Sequence, residues 1–125
     1  MKRVLIVDDE RDITFMIKQV LGNNYQIDTS NEPLKALAGF DTGKYELLIL
    51  DISMPKMNGL DLYREVMRRD KNIKVILITA MELQSYEFYA NFRREFPDFQ
   101  DFQVMKKPFG SADLKDKIEK LVSLR

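Results

Sequence analysis

Five residues of this chain combine types and positions that could do chemistry together: Asp8, Asp9, Asp51, Thr79 and Lys107. The chain contains no His and no Cys, so imidazole bases, thiolate nucleophiles and soft metal ligands are all excluded. Chemistry falls to carboxylates, hydroxyls, Lys and Arg. Carboxylates brought together repel one another, so either one holds a proton or a cation sits among them. With oxygen ligands alone that cation is a hard one, and Mg2+ suits a site offering one or two carboxylates and several waters. A Lys ammonium and a Thr hydroxyl facing the ion add positive charge and a donor, a set matched to phosphoryl oxygens. Asp is itself a nucleophile in phosphoryl transfer. Asp51, lying between the acidic pair and Thr79, is the best placed to act as one.

The elements that must position these residues are short apolar runs alternating with amphipathic stretches. Val4 to Val7 is a β-branched run ended by Asp8-Asp9, and Ile13, Met16, Ile17, Val20 and Leu21 then recur at helical spacing until Gly22-Asn23-Asn24. Tyr25, Ile27 and Thr29 alternate as a second strand. Ser30 or Asn31 is placed to cap the next helix and Pro33 to sit in its first turn, with Leu34, Leu37, Ala38 and Phe40 on its buried side. Leu47 to Leu50 form a third strand, running into Asp51, Pro55 and the Asn58-Gly59 turn; Leu60, Tyr63, Val66 and Met67 mark the helix after it. Val75 to Ile78 is a fourth strand ending at Thr79-Ala80, and Phe102 to Met105 a fifth, leading into Lys106-Lys107-Pro108. The last helix begins near Ser111 and carries Leu114, Ile118, Leu121 and Val122 on one face.

Strand followed by helix, repeated along the chain, predicts an α/β fold with a parallel sheet covered on both faces. Ligands of such sheets bind beyond the carboxyl ends of the strands, where the strand order reverses. All five residues lie at those ends. At 125 residues, without repeat, linker or low-complexity tract, the chain reads as one domain over 1–125. Lys plus Arg number 20 and Asp plus Glu 20, which gives no basic field for nucleic acid and no polybasic membrane anchor. The N-terminal apolar run is too short for a signal peptide or a membrane span, and the lack of Cys fits the cytoplasm. Taken singly, each feature has a plainer role. Asp8-Asp9 could cap a helix, Thr79 could be an ordinary strand residue, Lys106 a solvated neighbour, Asn58-Gly59 a turn, and Met54 and Met57 loop packing.

The segments "VLIVDDE", "LLILDISMPKMNG", "VILITA" and "KKPF" resemble, in order and spacing, the signatures of the response-regulator receiver domain of two-component signalling. The resemblance runs from Lys2 to Leu124. It implies a flavodoxin-like (βα)5 fold with strand order 2-1-3-4-5 and a phosphorylation-controlled switch rather than an enzyme, one that at most catalyses its own phosphorylation and dephosphorylation. It further implies that Asp51 accepts a phosphoryl group from a phosphohistidine on a sensor histidine kinase or phosphotransfer protein. Asp9, Asp51 and the backbone carbonyl of Ser53 would hold Mg2+, with Asp8 acting mainly through water. Thr79 would hydrogen-bond the phosphoryl oxygen and Lys107 pair with it, the Lys107-Pro108 bond being usually cis. A downstream protein would bind the face formed by the fourth helix, fifth strand and last helix.

The chain departs from the family pattern in two places. Several extra residues separate Thr79 from Lys107, so the fourth helix or its exit loop should be longer, with Pro97 ending the helix. The usual switch aromatic is replaced by Val104, with Phe102 two positions away and therefore expected on the same strand face. Ser53 and Met81 occupy positions that tune phosphoryl lifetime in the family. Of the aromatics crowded between Tyr86 and Phe102, several should fill the core, with an exposed partner-binding patch as the alternative. With no output domain after the last helix, the chain reads as a stand-alone receiver. The alternatives are a receiver cut from a longer DNA-binding regulator, a haloacid-dehalogenase-type phosphatase, which needs a carboxylate where Ser53 stands, and a flavodoxin-like electron carrier, which needs a phosphate loop where "DDERD" stands.

Overall fold

Side chains of a strand point alternately to opposite faces, so each fully apolar run here feeds two cores at once. A computed structural model describes residues 2–53, 59–79 and 86–123, the last with backbone only at 86–89. The expectations for Met54, Pro55, Met57, Asn58, Ala80 and Met81, and for the side chains of Tyr86, Phe88 and Tyr89, lie outside the described residues. The elements follow as β1 (Lys2–Val7), α1 (Arg11–Leu21), β2 (Tyr25–Ser30), α2 (Pro33–Ala38), β3 (Leu47–Asp51), α3 (Gly59–Arg69), β4 (Lys74–Thr79), α4 (Tyr86–Glu95), a 3-10 turn (Asp101–Gln103), β5 (Val104–Lys106) and α5 (Ser111–Ser123). The five strands form one parallel sheet in the order β2-β1-β3-β4-β5, as expected.

One face of the sheet presents Leu5, Val7, Leu48, Leu50, Val75 and Leu77 to α2, α3 and α4, meeting Ala36, Leu60, Leu62, Tyr63, Val66 and Phe92. The opposite face presents Val4, Ile6, Leu47, Ile49, Ile76, Ile78 and Met105 to α1 and α5, meeting Ile17, Leu21, Leu114, Ile118 and Leu121. Each such side chain, fully buried, contributes about 1.5–3 kcal/mol relative to exposure. The two layers hold the sheet rigid up to its last residues, where the five candidate residues stand. Among the described residues, no helix is long and apolar enough to cross a membrane.

Several expectations are corrected. The apolar stripe of α2 runs through Pro33, Ala36, Leu37 and Phe40, the i, i+3, i+4, i+7 set, which turns Ala38 to solvent and leaves Leu34 66% exposed. Neither Ser30 nor Asn31 caps this helix. Glu32 occupies the cap position, while Ser30 Oγ folds back onto Glu32 and Asn31 is spent elsewhere.

The fifth strand starts at Val104, two residues later than its apolar pattern suggests. Gln103 Oε1 accepts the Gln100 N–H at 2.8 Å, closing the 3-10 turn, and Gln103 Nε2 donates to the Val75 carbonyl at 2.9 Å. Phe102 therefore belongs to a turn and not to a strand. It packs against the α1–α5 core with the Lys120 ammonium 4.6 Å from its ring centre, while Val104 packs against the opposite core. The two do not share a face.

α4 ends at Glu95 and Pro97 follows, as expected. Phe92 and Phe99 are buried, and Phe96 is half-buried against them and Tyr63. The described aromatics of this segment are core.

Candidate functional site

Strand polarity and parity build the site. Asp51 is the last residue of β3, Thr79 the last of β4, and Asp8 and Lys107 lie directly after β1 and β5. Asp8, Asp51 and Lys107 have the parity of Ile6, Ile49 and Met105, so all three continue the face that packs on α1 and α5; Thr79 has the parity of Leu77, on the other face. Backbone bonds carry the ladder past the strand ends: Asp8 N–H to Ser30 O at 3.1 Å, Ile52 N–H to Ile78 O at 2.9 Å and Lys107 N–H to Thr79 O at 2.8 Å. Asn31 Nδ2 donates to the Asp8 carbonyl at 2.8 Å and to Thr14 Oγ1 at 3.2 Å, tying the β2–α2 connection to the acidic strand end.

Lys107 Nζ is the centre of the group. It lies 3.0 Å from each of Asp8 Oδ2, Asp51 Oδ2 and Glu10 Oε1. Asp51 is buried, its Oδ1 accepting the Ser53 N–H at 2.8 Å and its Oδ2 facing the ammonium. Ser53 Oγ lies 3.4 Å from Thr79 Oγ1, linking the residue whose N–H binds Asp51 to the end of β4. Carboxylate oxygens of Asp8, Asp9, Glu10 and Asp51 all fall within 4.8 Å of one another. The Lys107-Pro108 bond is cis. Lys106 is exposed.

Asp8 carries the clearest electrostatic signature. Its side chain is fully buried, Oδ1 accepts the Glu10 N–H at 2.9 Å, and among the described residues Oδ2 accepts no hydrogen bond despite the nearby ammonium. Burial pushes its pKa up to about 6, against the pull of the Glu10 N–H and Lys107, and Asp51 adds to the rise. Burial lowers the Lys107 ammonium, but Glu10, Asp51 and Asp8 outweigh it and hold the group above its ordinary range. Four acids and one ammonium leave an excess of negative charge around an orphaned buried oxygen, which is the donor set of a hard divalent cation.

A stability prediction follows from Asp8. The native chain binds more protons than the unfolded chain between the ordinary Asp pKa and about 6, so stability falls as pH rises through that window and the cost is fully present above it. Without divalent cations, Asp8→Asn should be more stable than the wild type above pH 6 by about 1–3 kcal/mol. The two should converge as pH falls toward 4. Urea denaturation in EDTA from pH 4 to 8 measures this, and a wild type as stable as Asp8→Asn at pH 7.5 would refute it.

The family model described as "Response regulator receiver domain" matches residues 4–119. The chain belongs to the response regulator receiver family. This receiver domain is 28% identical over 123 residues to the response regulator receiver protein CpdR of Brucella abortus, covering 98% of each chain. It is 35% identical over 86 residues to the chemotaxis protein CheY of Thermotoga maritima, covering 67% of this chain and 72% of that one. Its structure resembles the response regulator TrrA of Thermotoga maritima with TM-score 0.71 and 35% identity, over 97% of this chain and 99% of that one; TrrA was solved in complex with Mg2+ and BeF. The function is accordingly that of a two-component phosphoacceptor switch.

The receiver domain brings all the expected site residues to one sheet edge: Asp8, Asp9, Asp51, Ser53, Thr79 and Lys107. It also adds Glu10, which was not among them. The only trace of Glu10 in the sequence is its place directly after the acidic pair, and that position does not reveal whether the side chain turns toward Lys107 or toward solvent.

Proposed function

We propose that Asp51 is the phosphoacceptor of this receiver domain and that its phosphorylation controls binding to a partner protein. The observation that carries this is the Lys107 ammonium placed 3.0 Å from Asp51 Oδ2, at the mouth of an otherwise buried carboxylate. An Asp51 carboxylate oxygen forms the new P–O bond as the P–N bond of a partner's phosphohistidine breaks, and the bonding pair leaves with the imidazole nitrogen. Lys107 pairs with the phosphoryl oxygens from one side, and the Thr79 hydroxyl donates to them from the other face of the sheet. Asp8, Asp9, Asp51 and the backbone carbonyl of Ser53 would hold Mg2+, and the unsatisfied Asp8 Oδ2 fits that role. Bound there, Mg2+ supplies the positive charge that offsets the carboxylates and the incoming phosphoryl group.

Residues 1–125 act as one receiver domain in the cytoplasm. A histidine kinase or phosphotransfer protein donates the phosphoryl group, and a downstream protein reads the result on α4, β5 and α5. Catalysis is confined to the domain's own phosphorylation and dephosphorylation. In Mg2+, a small acyl phosphate should add one phosphoryl group per chain, labile to hydroxylamine and prevented by EDTA. A chain that takes up none, or takes it up equally well in EDTA, would sink this reading.

A further inference from the structure

Glu10 reaches the working end of Lys107 without being one of the expected site residues. Its backbone is fixed at the N-cap of α1 by the N–H bond to Asp8 Oδ1, while its side chain is 57% exposed. Lys107, only 11% exposed, has its ammonium nitrogen 3.0 Å from each of Glu10 Oε1, Asp51 Oδ2 and Asp8 Oδ2, donating to the first two and, at 3.4 Å, to Asp8 Oδ1. An ammonium has three donors, and three carboxylates already surround it. Phosphorylation turns the Asp51 contact into one with phosphoryl oxygens lying farther out, and Lys107 must leave one of the two remaining carboxylates to follow them. Asp8 is fully buried, so losing Lys107 would leave its charge uncompensated, whereas Glu10 stands at the solvent boundary, where solvation offsets a lost ion pair at little cost. Glu10 is therefore the contact that gives way.

We propose that Glu10 is a positioning residue, which holds the Lys107 ammonium in the resting state and competes with the phosphoryl group for it, so setting how tightly the site closes. This rests on Asp51 being the phosphoacceptor. Glu10 then has two effects of opposite sign. Its charge attracts a divalent cation to the cluster, and its grip on Lys107 opposes the anion that follows.

The test separates the two effects. Isothermal titration with Mg2+ alone, then with beryllofluoride at saturating Mg2+, is run on the wild type, Glu10→Gln and Glu10→Asp. Glu10→Gln should bind Mg2+ about two- to fivefold more weakly and beryllofluoride about two- to fivefold more tightly. Glu10→Asp keeps the charge but is one methylene too short to hold Lys107. It should bind Mg2+ within about twofold of the wild type and still gain affinity for beryllofluoride. In the resting state the nitrogen resonance of the Lys107 ammonium should move in both variants.

If Glu10→Asp matches the wild type for beryllofluoride while Glu10→Gln binds it more tightly, Glu10 acts by direct repulsion and the proposal is wrong. An unmoved Lys107 resonance, or no gain in either variant, also overturns it. Wild-type protein that binds no beryllofluoride in Mg2+, or an Asp51→Asn variant that binds it equally well, would instead bring down the reading of Asp51 and this proposal with it.

Discussion

Asp51→Asn should take up no phosphoryl group from an acyl phosphate in Mg2+, falling from one per chain to background, while folding at least as well as the wild type. The first half follows from chemistry: an amide oxygen is neither charged nor a competent nucleophile toward phosphorus. The second half follows from the surroundings. Asp51 is 1% exposed and stands beside Asp8, whose pKa its charge helps to raise. The amide has the same shape and keeps one acceptor for the Ser53 N–H or the Lys107 ammonium; removing one of two buried like charges offsets the loss of the other contact. Lys107 keeps Asp8 and Glu10 as partners. Phosphoprotein mass measured beside urea denaturation tests both halves. A stoichiometric label on the variant would move the acceptor elsewhere, and a variant that lost the label only because it had unfolded would leave the buried-charge account wrong.

Gly59→Ala should cost about 3 kcal/mol or more, one of the largest effects open to a single added methyl. A Cβ on Gly59 would stand 2.3 Å from Ile52 Cα and 2.5 Å from the Asp51 carbonyl oxygen. Both are backbone atoms, and neither can swing aside. The Ile52 N–H is bonded to Ile78 O across the sheet at 2.9 Å, so the strand end is pinned. The start of α3 must move instead, and Leu60, Leu62, Tyr63 and Val66 must leave their places in the core. The displacement also reaches Asp51 and Ser53, so Mg2+ affinity should fall with stability. Denaturation and Mg2+ titration of the same variant check the pair. A loss below 1 kcal/mol would mean that α3 approaches β3 less closely than the backbone positions require.

Most of the site was legible because each of Asp8, Asp51 and Thr79 ends an apolar run, and Lys107 follows one. A parallel sheet brings such ends to one edge whatever the details of packing. Asp9 was legible only through its neighbour. Glu10 was not, because its role depends on a side-chain rotation at a helix cap and no spacing encodes that. The errors at Leu34 and Phe102 share a cause. An apolar residue near the end of a short element was assigned to that element's pattern, while local contacts decided the outcome. Pro33 and Ala36 claimed the core stripe of α2, and the paired side chains of Gln100 and Gln103 shortened β5. The site itself was missed least where backbone hydrogen bonds alone determine position.

The segment after α4 has a mechanical consequence. Phe92, Phe96 and Phe99 interlock with Tyr63 at ring separations of 4.7–6.1 Å, each such pair contributing about 0.5–1.5 kcal/mol beyond its burial. Arg64 grips Glu95, and Arg93 grips Asp101, across the same junction. The C-terminal end of α4 is thereby anchored to α3 and to the turn before β5. Any reorientation of α4 must pivot about that anchored end, so the travel is greatest at the end joined to Thr79.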